Sequence, residues 1–179
     1  MADKQLTGKK VVLVVVRTQF REEEVFEPQR ILEKEGASVV IASTVAGPCR
    51  GMREGLIEAS IALADVNAAD FDGVVLAGGS SVPDMFWKDK ALAALVTAMS
   101  EAGKVIGAIS LSTVVLARAK LLEGRNATVY HLPEAIEELK TAGARYVKDK
   151  LVVDGKLIMA EGPAEARSFS NALVAALAG

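Results

Sequence analysis

Residues 11–16 (VVLVVV) constrain this chain more than any other stretch. A strand with one wet face alternates apolar and polar side chains, and this run is apolar on both faces. It predicts a central strand of a parallel sheet, covered on either side by helices. The run is far shorter than the roughly 20 residues a membrane-crossing helix needs. It also lacks the longer apolar stretch and cleavage site of a secretion signal. The expectation is a cytoplasmic protein with no membrane partner.

The segments that follow repeat the theme. Residues 22–35 set Val25, Ile31 and Leu32 among charges at helical spacing, with Gly36 as a C-terminal cap. Residues 37–42 (ASVVIA) form a second apolar strand. Strand, helix and strand in this order predict a right-handed βαβ crossover. Residues 71–77 (FDGVVLA) and 105–109 (VIGAI) are further buried strands. Between them, Pro83 and Asp84 open a helix that carries Leu92, Leu95, Val96 and Met99 to near Gly103, with Phe86 and Trp87 on it as packing or interface residues. A helix over 113–121, a strand over 127–130 and a helix over 134–141 come next. Asp154-Gly155 turns a hairpin between 151–153 and 157–159, and an Ala-rich helix over 164–178 closes the chain. Residues 44–67 are less regular, broken by Gly47-Pro48, Gly51 and Gly55 into loops and a short hairpin. With 179 residues, 51% of them apolar, the chain fits one domain over 1–179. The pattern predicts an α/β fold, a three-layer αβα sandwich on a mostly parallel sheet.

Charge and rare residues narrow the chemistry. Lys and Arg total 21 against 23 Asp and Glu, a net charge of −2, and no basic run stands out. That excludes a nucleic-acid partner held mainly through phosphates. One cysteine, Cys49, excludes an intrachain disulfide and a Cys-rich zinc site, and one histidine, His131, leaves little for a metal cluster or a Ser-His-Asp triad. Gly78-Gly79 is not a GxGxxG fingerprint, so no dinucleotide is implied. No metal and no cofactor are expected.

In open parallel sheets, ligands lie beyond the carboxyl ends of the strands at a switch in strand order. Those ends here are residues 17–24, 78–81 and 110–113. Ser110 sits where a buried strand runs into a helix, a place that lifts a side chain over the sheet and beside unpaired N–H groups. The plain alternative is that Ser110 or Ser112 caps the helix. Gly78-Gly79 either lets backbone approach a ligand or simply makes a tight turn. Glu22, Glu23 and Glu24 read as dipole-matched surface acids unless one turns inward. Cys49 reads as an incidental loop thiol, and His131 as a polar loop residue.

Several short motifs together resemble the ThiJ/PfpI superfamily, the family of the Parkinson-disease protein and of archaeal intracellular proteases. They are residues 20–28 (FREEEVFEP), 31–36 (ILEKEG), 70–79 (DFDGVVLAGG), 108–110 (AIS), 122–125 (LEGR) and 152–155 (VVDG). The resemblance spans residues 10–177. It implies a flavodoxin-like sandwich and a homodimer or higher homo-oligomer. It also implies glyoxalase, deglycase, peptidase or chaperone activity. The family's elbow cysteine matches Ser110, and its acid four residues before a proline matches Glu24. Its oxyanion donors match Gly79 and Leu111, beside Gly78. In the protease-like branch, a histidine would stand at Leu111 and a further acid at Arg21. A pocket histidine of some members falls at Tyr130 or, one residue on, His131. The resemblance thus implies an intact cleft without its thiol. The cleft would bind a small polar or anionic ligand, or serve a stress-related role, with Ser110 and Glu24 as a hydrogen-bonded pair. The alternative is an active hydrolase or glyoxalase with Ser110 as nucleophile and Glu24 as base.

Overall fold

The computed structural model describes residues 3–179. In chain order the elements are β1 (Lys10–Val14), β2 (Thr18–Phe20), α1 (Glu22–Lys34), β3 (Ser38–Ser43), β4 (Gly47–Gly51), β5 (Leu56–Ala59), β6 (Ile61–Ala62) and β7 (Gly73–Leu76). Then follow α2 (Val82–Met85), α3 (Lys90–Glu101), β8 (Val105–Ile109), α4 (Thr113–Arg118), β9 (Asn126–Ala127), α5 (Pro133–Thr141), β10 (Arg145–Tyr146), β11 (Leu151–Asp154), β12 (Leu157–Ala160) and α6 (Ala166–Ala178). Seven strands make the main sheet in the order β11-β12-β8-β7-β1-β3-β6. All its pairs are parallel except β11 with β12, the hairpin at the edge.

β1 lies inside the sheet between β3 and β7, and residues 11–16 are all fully buried. The unbroken apolar run is the direct cause, since neither face of this strand meets water. Helices α1 and α6 pack on each other, and α6 lies on β8 and β12. Helices α3, α4 and α5 form the other group, with α3 on β7 and β8. The expected three-layer αβα sandwich is what forms. No helix among the described residues is long and apolar enough to cross a membrane.

From β1 the chain steps to β3 on one side, then returns to β7 on the other. That reversal puts the crevice of a doubly wound sheet over the carboxyl ends of β1 and β7. The segments leaving β1, β7 and β8 all reach it.

Six local expectations need correction. The helix predicted from Pro83 to Gly103 is two helices, because the chain leaves helical hydrogen bonding after Met85 and restarts when the Asp89 carboxylate caps α3 by accepting from the Leu92 N–H at 2.8 Å. Phe86 and Trp87 lie in that break, not on a helix. The strand predicted over 127–130 pairs only through Asn126–Ala127, with β10, after which the chain turns toward the crevice. The helix after β8 stops at Arg118, and the last helix starts at Ala166 after a 3-10 turn over Pro163–Glu165. Cys49 is buried within β4, not in a loop. The irregular stretch does contain the short hairpin, β4 with β5, and β2 joins it as a three-stranded second sheet.

Candidate active site

Every residue of β8 is buried, so the strand holds its direction up to Ile109. Ser110 then takes φ +63°, a left-handed conformation that a non-glycine residue adopts at a cost of about 1–3 kcal/mol. Surrounding groups hold it there. The Tyr130 N–H donates to the Ser110 carbonyl at 3.3 Å, and the Trp87 indole N–H donates to the Leu111 carbonyl at 3.0 Å. The Ser112 hydroxyl donates to the Ala77 carbonyl at 2.6 Å, tying the turn to the end of β7. Ser112 stands at the N-cap position of α4, but neither serine side chain makes a capping hydrogen bond.

The three glutamates at the start of α1 diverge. Glu22 accepts the Arg53 and Gly55 N–H groups at 2.6 and 3.2 Å and so fastens the tip of the β4–β5 hairpin. Glu23 bridges Arg21 at 2.9 Å and Arg53 at 3.2 Å, near the surface. Glu24 turns inward and is fully buried, on the same face as Val25, Pro28, Ile31 and Leu32. Neither of its carboxyl oxygens has a hydrogen-bond partner of strict geometry among the described residues, although the Ser110 hydroxyl and the Gly78 amide lie close enough to act on its ionisation. Burial pushes its pKa up to about 8. The nearby Gly78 amide, the Ser110 hydroxyl and the Arg21 charge pull the other way and lose. At neutral pH this carboxyl is therefore mostly protonated and able to donate.

Two glycines make room for this arrangement. A Cβ on Gly78 would overlap the Glu24 Oε2 and stand 2.7 Å from the Ser110 Cβ. Gly79 has φ +152°, and a Cβ there would overlap the Gln19 carbonyl oxygen and stand 2.7 Å from the Phe20 Cα. Those are backbone atoms of β2, which is stitched to this turn by Arg21 N–H to Gly78 C=O at 3.0 Å and Ser80 N–H to Gln19 C=O at 3.1 Å. Gly79→Ala is expected to destabilise the protein by about 2–4 kcal/mol, from combined backbone strain and overlap. Urea unfolding measures it; a loss under about 1 kcal/mol would mean that β2 yields.

Together these groups enclose a cavity of about 200 Å³. At about 30 Å³ per water it has room for roughly six waters, or a molecule of a few heavy atoms. Glu24, Gly79, Ser110 and Leu111 line it, and the Gly79 N–H makes no backbone hydrogen bond among the described residues. Arg21, Met52, Ser80, Tyr130 and Pro163 complete its wall. Of the two positions for a pocket histidine, the structure brings Tyr130 to the cavity. His131 is exposed, outside the lining, with its Nδ1 3.5 Å from the Tyr146 hydroxyl. Met52 and Pro163 were not singled out in the sequence, and neither carries a local signal, because only the folded hairpin and the β12–α6 link bring them here. Cys49 lies outside this cavity, and burial pushes its thiol pKa up. Among the described residues no group of three or more His, Cys, Asp or Glu is placed to hold a metal ion.

The sequence pattern of the DJ-1/PfpI family matches residues 9–176. An uncharacterized protein of Methanocaldococcus jannaschii is 42% identical over 172 residues, covering 96% of this chain and 84% of the relative. A protein of Pyrococcus abyssi named a deglycase is 29% identical over 163 residues, covering 91% and 96%. The crystal structure of a ThiJ/PfpI domain protein from Brachyspira murdochii superposes with a TM-score of 0.89 at 28% identity, covering 95% of this chain and 98% of that one.

Proposed function

Because this chain belongs to the DJ-1/PfpI family, we propose that its cavity is a binding site for a small polar or anionic molecule, with Ser110 as a hydrogen-bonding group and not a nucleophile. The protonation of Glu24 carries this reading. A serine hydroxyl is a weak nucleophile at neutral pH and needs an adjacent base. Burial raises the pKa of the carboxyl beside Ser110 to about 8, so at pH 7 it is mostly protonated and offers no base there. Serine also lies outside the sulfenic and sulfinic oxidation ladder open to a cysteine.

The test is turnover of methylglyoxal and of a fluorogenic peptide by the purified protein at pH 7. We expect rates no higher than those of Ser110→Ala. Robust turnover that Ser110→Ala abolishes would overturn the reading. The strained elbow beside Glu24 favours a second reading, a hydrolase that works once Glu24 ionises. Its mark is a Ser110-dependent rate that climbs with pH through about 8.

A further inference from the structure

The turn at Ser110 is held partly from outside β8 and α4. Trp87, in the break between α2 and α3, donates its indole N–H to the Leu111 carbonyl at 3.0 Å. Arg118, in the last turn of α4, fixes the indole in its turn, with its guanidinium 5.7 Å from the ring centroid. The Arg118 Nη1 also stands 3.5 Å from the Trp87 carbonyl oxygen. Glu138 of α5 grips the same guanidinium, because Nε and Nη2 donate to its two oxygens at 2.9 and 2.6 Å. Such a two-bond fork fixes orientation as well as distance. The two side chains are only 34% and 28% exposed, so water and salt screen this pair less than a fully exposed one. A path of contacts thus runs from α5 through Arg118 and Trp87 to the carbonyl of the residue after Ser110. Ser110 itself sits at φ +63°. The strain of one left-handed residue and the worth of one hydrogen bond are of the same order, so a single bond can decide whether the turn keeps its shape.

We propose that Trp87 is a positioning residue for Ser110, and that Arg118, fastened by Glu138, positions Trp87. None of the three lines the cavity. They act on it by holding the peptide that follows Leu111 at one angle. An ion pair between α4 and α5 thereby sets the geometry of the elbow. This positioning holds whether the cavity binds a molecule or transforms one.

The direct test is the crystal structure of Trp87→Phe, which keeps a ring and loses the N–H. We expect the Leu111 carbonyl to turn and Ser110 to leave the left-handed region. The test in solution is the thiol pKa at position 110, taken from the pH dependence of iodoacetamide alkylation of Ser110→Cys. Adding Trp87→Phe should raise that pKa by about one unit and slow alkylation at pH 7 about tenfold, because the displaced thiol loses its place beside the Gly79 N–H. Adding Arg118→Met, which keeps the stem and removes the fork, should slow it about threefold, and Arg118→Lys should recover part of that loss. The control is Leu177→Ala, a core change in α6 beside Gly73, at the opposite end of β7 from the crevice. It should lower the melting temperature and leave the thiol pKa unchanged. Thermal melts check that each variant folds; if Trp87→Phe does not, the two Arg118 variants carry the test. Ser110 keeping its φ in Trp87→Phe, a thiol pKa indifferent to Trp87→Phe or to Arg118→Met, or an equal shift in Leu177→Ala each overturns the assignment.

Discussion

Ser110→Cys is expected to gain a thiol that iodoacetamide alkylates at pH 7 at least about 100-fold faster than it alkylates Cys49 in the parent chain. Rate follows the thiolate fraction and access. Cys49 scores poorly on both, being buried in β4 with its pKa raised by desolvation. Position 110 faces a cavity, next to the unpaired Gly79 N–H. The protonated Glu24 carboxyl beside it can donate to a sulfur anion, and such donation lowers a thiol's pKa. A thiol at the unperturbed value near 8.5 is about 3% ionised at pH 7, so a fall of two units raises that fraction more than tenfold. Mass spectrometry of the labelled peptide reads the site. Labelling at position 110 no faster than at Cys49 would mean that the cavity does not activate a nucleophile.

Glu24→Gln is expected to remove most of a pH dependence of stability worth about 5 kcal/mol. The carboxyl titrates near 4.5 when unfolded and near 8 when folded. Between those values the folded state holds a proton that the unfolded state has lost. Stability therefore falls as pH rises, at about 1.4 kcal/mol per unit. The contribution is fully present below about pH 4.5, is reduced by about 3 kcal/mol at pH 7, and is gone above about pH 8. An amide does not titrate in this range. The stability difference between wild type and Glu24→Gln, from urea melts at pH 4, 7 and 9, should thus shift steadily toward the variant. Other titrating groups cancel in that difference. A difference constant with pH would show that Glu24 is hydrated or paired in solution.

The main sheet was legible because its strands lack a wet face, and 11–16, 71–77 and 105–109 could be read without periodicity. The position of Ser110 was legible as the end of one such run. Choosing among the three glutamates was harder, yet a signal existed. Glu24 shares helical phase with Pro28, Ile31 and Leu32, all buried, whereas Glu22 and Glu23 do not. The break between α2 and α3 also had a mark, since Asp89 three residues before Leu92 is a capping pattern. Thr18–Phe20 was missed because three residues among charges carry no periodicity, and its strand exists only through β4 and the Gly79 turn. Met52 and Pro163 reach the cavity through contacts distant in sequence, which no local pattern encodes.

Trp87 is the chain's single tryptophan, and its indole N–H is bonded to the carbonyl of the residue that follows Ser110. Ultraviolet emission excited in the indole band therefore has one source, set beside the turn that forms the cavity floor. The molecule carries its own optical probe, and occupancy of the cleft can be followed in the unmodified chain without attaching a dye.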